Sequence, residues 1–113
     1  MLPKQHRLPL RKEFNRVKKQ GQLFQGNLFS LLVASQASPE IRFAFIVSKK
    51  IHKKAVKRNK IRRILVESAQ TFLPEIKPGI DAVFLTKKVI IDKNFTEIKK
   101  EVKRIFKKAS LLK

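Results

Sequence analysis

The chain has 113 residues, enough for one domain with a real core that buries roughly two-thirds of its unfolded surface, so 1–113 reads as a single domain. Its 28 Lys and Arg against 8 Asp and Glu give a formal net charge of +20, which opposes compaction and attracts any polyanion within about 8 Å in physiological salt, nucleic acid foremost. With no Cys there are no disulfides and no thiolate chemistry, the longest apolar runs (LLVA, AFIV) are far short of the ~20 residues of a membrane span, and the N-terminal MLPKQHRLPLRKEF lacks a signal peptide's apolar heart, so the protein is expected in the cytoplasm.

An apolar content of 42%, nine Phe and clear periodicity argue for folding rather than disorder. A first short helix is predicted over 11–20, where Leu10, Phe14 and Val17 recur at helical spacing and Gly21 could end it in the left-handed conformation. Two strands follow, 27–35 (NLFSLLVAS) and 42–48 (RFAFIVS), and the intervening QASPEI suits a hairpin-like connection. A long helix is predicted over about 55–72, with Ile61, Ile64, Leu65, Ser68 and Phe72 as its inward stripe. After the turn PEIKPG, the stretch IDAVFLT (80–86) reads as another strand. Asn94 and Glu97 then form a capping box for a last helix, whose apolar face carries Phe95, Ile98, Val102, Ile105, Phe106 and Ala109. The order helix, strands, helix, strand, helix suggests an α+β domain in which helices cover a small mixed sheet.

Chemistry concentrates in residues 49–63. Nine basic residues stand there, Lys49, Lys50, Lys53, Lys54, Lys57, Arg58, Lys60, Arg62 and Arg63, with no acid among them. A solvated polar face is the ordinary explanation of a charge run. Within the run no i, i+4 pair relieves the repulsion, and the charges crowd a helix N-terminus, where each cation is disfavoured by roughly 0.3–1 kcal/mol. An external anion compensates both. The forked guanidinia of Arg58, Arg62 and Arg63 suit phosphate, and Asn59 adds a donor and an acceptor. Protein-based nuclease chemistry would need clustered carboxylates or paired histidines. The eight acids are scattered without metal-ligand spacing, and His6 and His52 are isolated.

VSKK (47–50), followed after seven residues by RNKIRR (58–63), resembles the signature of the protein subunit of bacterial ribonuclease P, in which the second block reads Arg-Asn-Arg-x-Lys-Arg. RL at 7–8, Phe14, Val17, Gly21 and Asp81 extend the resemblance over nearly the whole chain. It implies a two-layer α/β sandwich with a left-handed β-α-β crossover, where general rules alone would predict a right-handed one. It also implies that an RNA subunit carries the catalytic centre and holds the Mg²⁺, while the protein binds that RNA and the 5′ leader of precursor tRNA and needs no protein partner.

On this resemblance Arg58, Asn59, Lys60, Arg62 and Arg63 contact the catalytic RNA, with Lys49 and Lys50 on the same surface and Lys53, Lys54 and Lys57 in support. The family's leader-binding cleft lies between the first helix and the sheet. Phe14 matches one of its aromatic positions, although an aromatic at helical spacing equally suits core. Lys18 and Leu32 replace two other aromatics, and Lys87 stands where the family often has arginine. A ribosomal or ribosome-associated RNA-binding protein would share this charge and size, and a DNA-binding architectural protein is a third class, without a recognition-helix or wedge motif here.

Overall fold

The computed structural model describes residues 2–113. Its elements are α1 (Leu10–Gln20), β1 (Gln22–Gln25), β2 (Phe29–Ser35), β3 (Ile41–Ile46), α2 (Ala55–Phe72), β4 (Ile80–Thr86) and α3 (Phe95–Lys108). The strands form one mixed sheet in the order β1-β2-β4-β3, with β2 antiparallel to β1 and β4, and β3 parallel to β4. The α+β class and the small mixed sheet are as expected, and α2 makes the crossover from β3 to β4.

The hairpin expected between the second and third strands does not form, because β4 lies between them. Residues Ile80 to Phe84 of β4 are all buried, as suits an apolar strand covered on both faces, and this strand takes the interior position. The connection from Gln36 to Glu40 instead wraps the start of β4, with Gln36 N donating to Gly79 O and Gly79 N to the carbonyls of Pro39 and Glu40. Gly79 does this at φ +78, a conformation that other residues rarely adopt. Strand β3 is left at the edge, where Arg7 bridges to Phe43 and Leu8 N donates to Phe43 O, covering part of its open ladder.

Alternation along the strands sends side chains to two faces. One face carries Leu31, Phe43, Phe45 and Phe84 into the main core beneath α2 and α3. The other carries Leu32, Ala34, Ala44 and Val83 into a smaller cluster with Leu8 and Val17, against which Phe14 of α1 packs. The ring of Phe84 lies 5.0 Å from that of Phe29, 4.8 Å from Phe45 and 6.0 Å from both Phe43 and Phe106, an aromatic centre that joins sheet to α3.

Helix α2 buries Ile61, Leu65, Ser68, Ala69 and Phe72, close to the predicted stripe, and Ser68 satisfies its hydroxyl on Ile64 O at 2.8 Å. The capping box of α3 is present, with Glu97 N donating to Asn94 Oδ1 at 2.9 Å. Phe95, expected on the apolar face, is instead 38% exposed at the first position of α3, with Lys99 Nζ 5.8 Å from its ring centre. Gly21 ends α1 in extended backbone, φ −81 and ψ 164, not in the left-handed region. Its requirement is close approach: a Cβ there would lie 2.3 Å from Val17 O and 2.9 Å from Val33 O.

Candidate nucleic-acid interface

The basic run is held by its own backbone. Val47 and Ile51 are buried and pin the turn that leaves β3, with Ile51 N donating to Ser48 O at 3.0 Å. Lys54 N donates to His52 Nδ1 at 3.0 Å, and Arg58 Nη1 donates to His52 O at 2.9 Å and Lys53 O at 2.8 Å. Arg58 therefore ties the loop to the first turn of α2 with one nitrogen and has its other donors to offer. Arg62 Nη1 donates to Asn59 Oδ1 at 2.6 Å, which orients both side chains on one face of the helix.

Lys49, Lys50, Lys53, Lys54, Lys57, Lys60 and Arg63 are exposed, as is Asn59, while Arg58 and Arg62 are half-buried. The structure thus collects all ten predicted residues on the β3–α2 loop and the first half of α2. None of the nine cations forms an ion pair among the described residues, whereas Arg16, Arg42, Lys93 and Arg104 elsewhere all do. No acid occupies the first turn of α2 and no side chain caps it, so the positive end of the helix adds to the uncompensated charge. Such a surface attracts phosphate before it makes any specific contact.

The predicted leader residues separate. Phe14 is half-buried and packs against the cluster that contains Leu32, so these two lie together. Leu32 is only 7% exposed and serves as core, and Lys18 stands exposed on α1. Lys87 is engaged locally, its Nζ donating to Gly26 O at 2.6 Å and Gln25 Oε1 at 3.2 Å.

Two of the scattered acids, Asp81 and Glu101, are buried and structural. Asp81 is fully buried and accepts from Arg42, Arg16 and Gln36, joining β4 to β3, α1 and the β2–β3 connection. The Arg16 guanidinium is held above its ordinary pKa by its hydrogen bond to Glu13, with Asp81 adding to the effect, and that of Arg42 by Asp81. Glu101 accepts from Asn27 N at 2.5 Å, Leu28 N at 3.2 Å and twice from Arg104, so α3 closes the β1–β2 turn. Burial would raise its pKa, but the Arg104 and backbone hydrogen bonds outweigh this and the carboxyl lies below the usual range. The spacing Glu101–Arg104 was visible in the sequence, while the partners of Asp81 come from three distant segments.

His6 Nδ1 contacts Ile41 O at 2.7 Å, so both histidines hold backbone in place. Among the described residues no group of three or more His, Asp or Glu is placed to hold a metal ion, and no helix is long and apolar enough to cross a membrane.

A family model described as Ribonuclease P matches residues 2–110. The ribonuclease P protein component of Clostridium kluyveri is 36% identical over 110 residues, covering 96% of this chain and 97% of that protein. The corresponding protein of Pseudanabaena is 33% identical, covering 99% and 97%. Among solved structures, the RNase P protein of Thermotoga maritima in complex with 1-(4-fluorophenyl)-2-thiourea superposes with a TM-score of 0.83 at 26% identity, covering 89% of this chain and 97% of that one. The Staphylococcus aureus RNase P protein shares the fold with a TM-score of 0.86 at 23% identity, covering 96% and 98%.

Proposed function

Because the chain belongs to the ribonuclease P protein family, it is a subunit of the endoribonuclease that removes the 5′ leader from precursor tRNA, and we propose that it acts by binding the catalytic RNA through Lys49 to Arg63. The observation that carries this is the run of nine cations without an ion pair among the described residues, on a loop tied by hydrogen bonds to the first turn of α2. Arg58, Asn59, Lys60, Arg62 and Arg63 make the charge-assisted contacts, Lys49 and Lys50 continue the surface, and Lys53, Lys54 and Lys57 add to the positive potential that draws a folded RNA to it. The 5′ leader of precursor tRNA is taken along α1 near Phe14 and Lys18.

Bond cleavage belongs to the RNA. The two buried acids of this chain, Asp81 and Glu101, are engaged by arginines and backbone and offer no set of ligands. On this reading Mg²⁺, which would stabilise charge on the cleaved phosphodiester, is held by the RNA in the assembled enzyme. The protein works in the cytoplasm, where precursor tRNA is made, and needs no further protein.

Reconstitution tests this reading. The chain is mixed with the catalytic RNA of a relative, and precursor tRNA cleavage is followed at physiological Mg²⁺. Cleavage should accelerate on adding protein; an unchanged rate, or recovery of ribosomal RNA rather than a single catalytic RNA with the purified protein, would overturn it.

A further inference from the structure

A groove of about 830 Å³ runs between α2 and the edge strand β3. Its apolar floor is Phe43 and Phe45, and its walls include Arg7, Arg62, Arg63 and Glu67. On α2, Asn59, Arg62, Arg63 and Val66 fall at i, i+3, i+4 and i+7 and line it as one stripe. The volume lies within the range of small-molecule sites.

Three features define what fits. Phe45 is half-buried, and its ring already stacks on Phe84, with centroids 4.8 Å apart and planes 25° apart, so a flat ring laid against it extends an existing stack. Three guanidinia rim the groove. Arg62 is oriented by Asn59 and Arg7 by its Nε bond to Leu2 O at 2.7 Å, and the Arg63 side chain has no hydrogen bond or ion pair among the described residues. Glu67 stands in the same wall, and its carboxylate is likewise unpaired among the described residues despite those arginines. A phosphate, or the side chain of an acidic peptide, placed against that carboxylate would be repelled by it. A base edge with amino or imino donors would be accepted by it.

From this we infer that the groove is a pocket for a single unstacked RNA base, lying against Phe45 with its donor edge toward Glu67, while the flanking phosphates sit on Arg7, Arg62 and Arg63. This rests on the reading of α2 as an RNA-contacting helix and adds what that contact recognises. Sequence-specific binding of RNA works through such splayed bases, which stack on aromatic rings and expose their edges to hydrogen bonding. Guanine, with an imino and an amino donor on one edge, suits Glu67 better than uracil, which has a single imino donor.

The test uses an RNA hairpin with one bulged guanosine, the same hairpin with an abasic site at the bulge, and one with a bulged uridine, titrated with the intact protein at about 0.15 M salt. Removing the base should weaken binding about tenfold, within the range for one base stacked on an aromatic ring. Phe45→Leu should reduce that difference to about twofold or less while Arg62→Ala/Arg63→Ala weakens all three RNAs. If a thermal melt shows Phe45→Leu to be unfolded, the exposed Glu67→Ala decides, since it should erase the preference for guanosine over uridine. Equal binding of bulged and abasic RNA, with both weakened by the arginine changes, would overturn the pocket and leave the RNA contact standing. Arginine changes that weaken none of the three would overturn the RNA reading of α2 itself.

Discussion

Arg42 on β3 grips Asp81 on β4 with two hydrogen bonds, Nε to Oδ1 at 2.8 Å and Nη2 to Oδ2 at 2.9 Å, at a carboxylate with no solvent exposure. The two residues are directly opposed in the parallel register, and Arg16 of α1 donates to Oδ2 of the same carboxylate. One buried charge thus fixes the position of α1 on the sheet.

Replacing Asp81 by Ala leaves the Arg42 guanidinium without its ion-pair partner and Arg16 with Glu13 alone, and should destabilise the fold by about 3–5 kcal/mol. For a domain of this size that is a fall in melting temperature on the order of 10–20 °C. A thermal melt checks it. A variant that melts with the parent would show that the Arg42–Asp81 pair does not hold the sheet.

Glu101 predicts an acid dependence. Its folded-state pKa lies below the ordinary 4.5, so in acid the unfolded chain binds this proton first. The stability that Glu101 contributes is complete above 4.5 and is lost as the pH falls through the folded value. Glu101→Gln should therefore lower the urea midpoint near pH 6, and the gap to the parent should narrow steadily below pH 4.5. A gap independent of pH would contradict the assignment.

The fold was legible where local chemistry decides it. The α2 stripe, the capping box at Asn94 and the strand from Ile80 to Thr86 follow from periodicity and turn residues. Strand β1 went unread because QLFQ is short, largely exposed and set between two glycines that mark turns. The order of strands was misread at QASPEI because pairing depends on which strand is most completely buried, a tertiary property. For the site, the basic run announced itself through missing acids, whereas Phe45 gave no signal: nothing local says that α2 leaves its ring beside a groove.

Lys18 is exposed and makes no hydrogen bond or ion pair among the described residues, so its replacement should leave the fold intact. If it meets a leader phosphate, Lys18→Phe should reduce the slope of log affinity against log salt by about 0.7 for leader-bearing precursor, and leave mature tRNA unaffected. A salt series on the reconstituted enzyme measures this. An unchanged slope would place the leader elsewhere.

Whether Lys49 to Arg63 form an RNA-binding face or a structural one is tested most directly by pairing affinity for the catalytic RNA with a thermal melt, for Arg62→Ala/Arg63→Ala and for Leu65→Ala. The arginine variant should lose about 2–4 kcal/mol of RNA affinity, on the scale of charge-assisted hydrogen bonds, and melt with the parent. Leu65 is fully buried, and its truncation should cost about 2–5 kcal/mol of stability. Undiminished RNA affinity in the arginine variant, or a loss of folding equal to that of Leu65→Ala, would contradict the account.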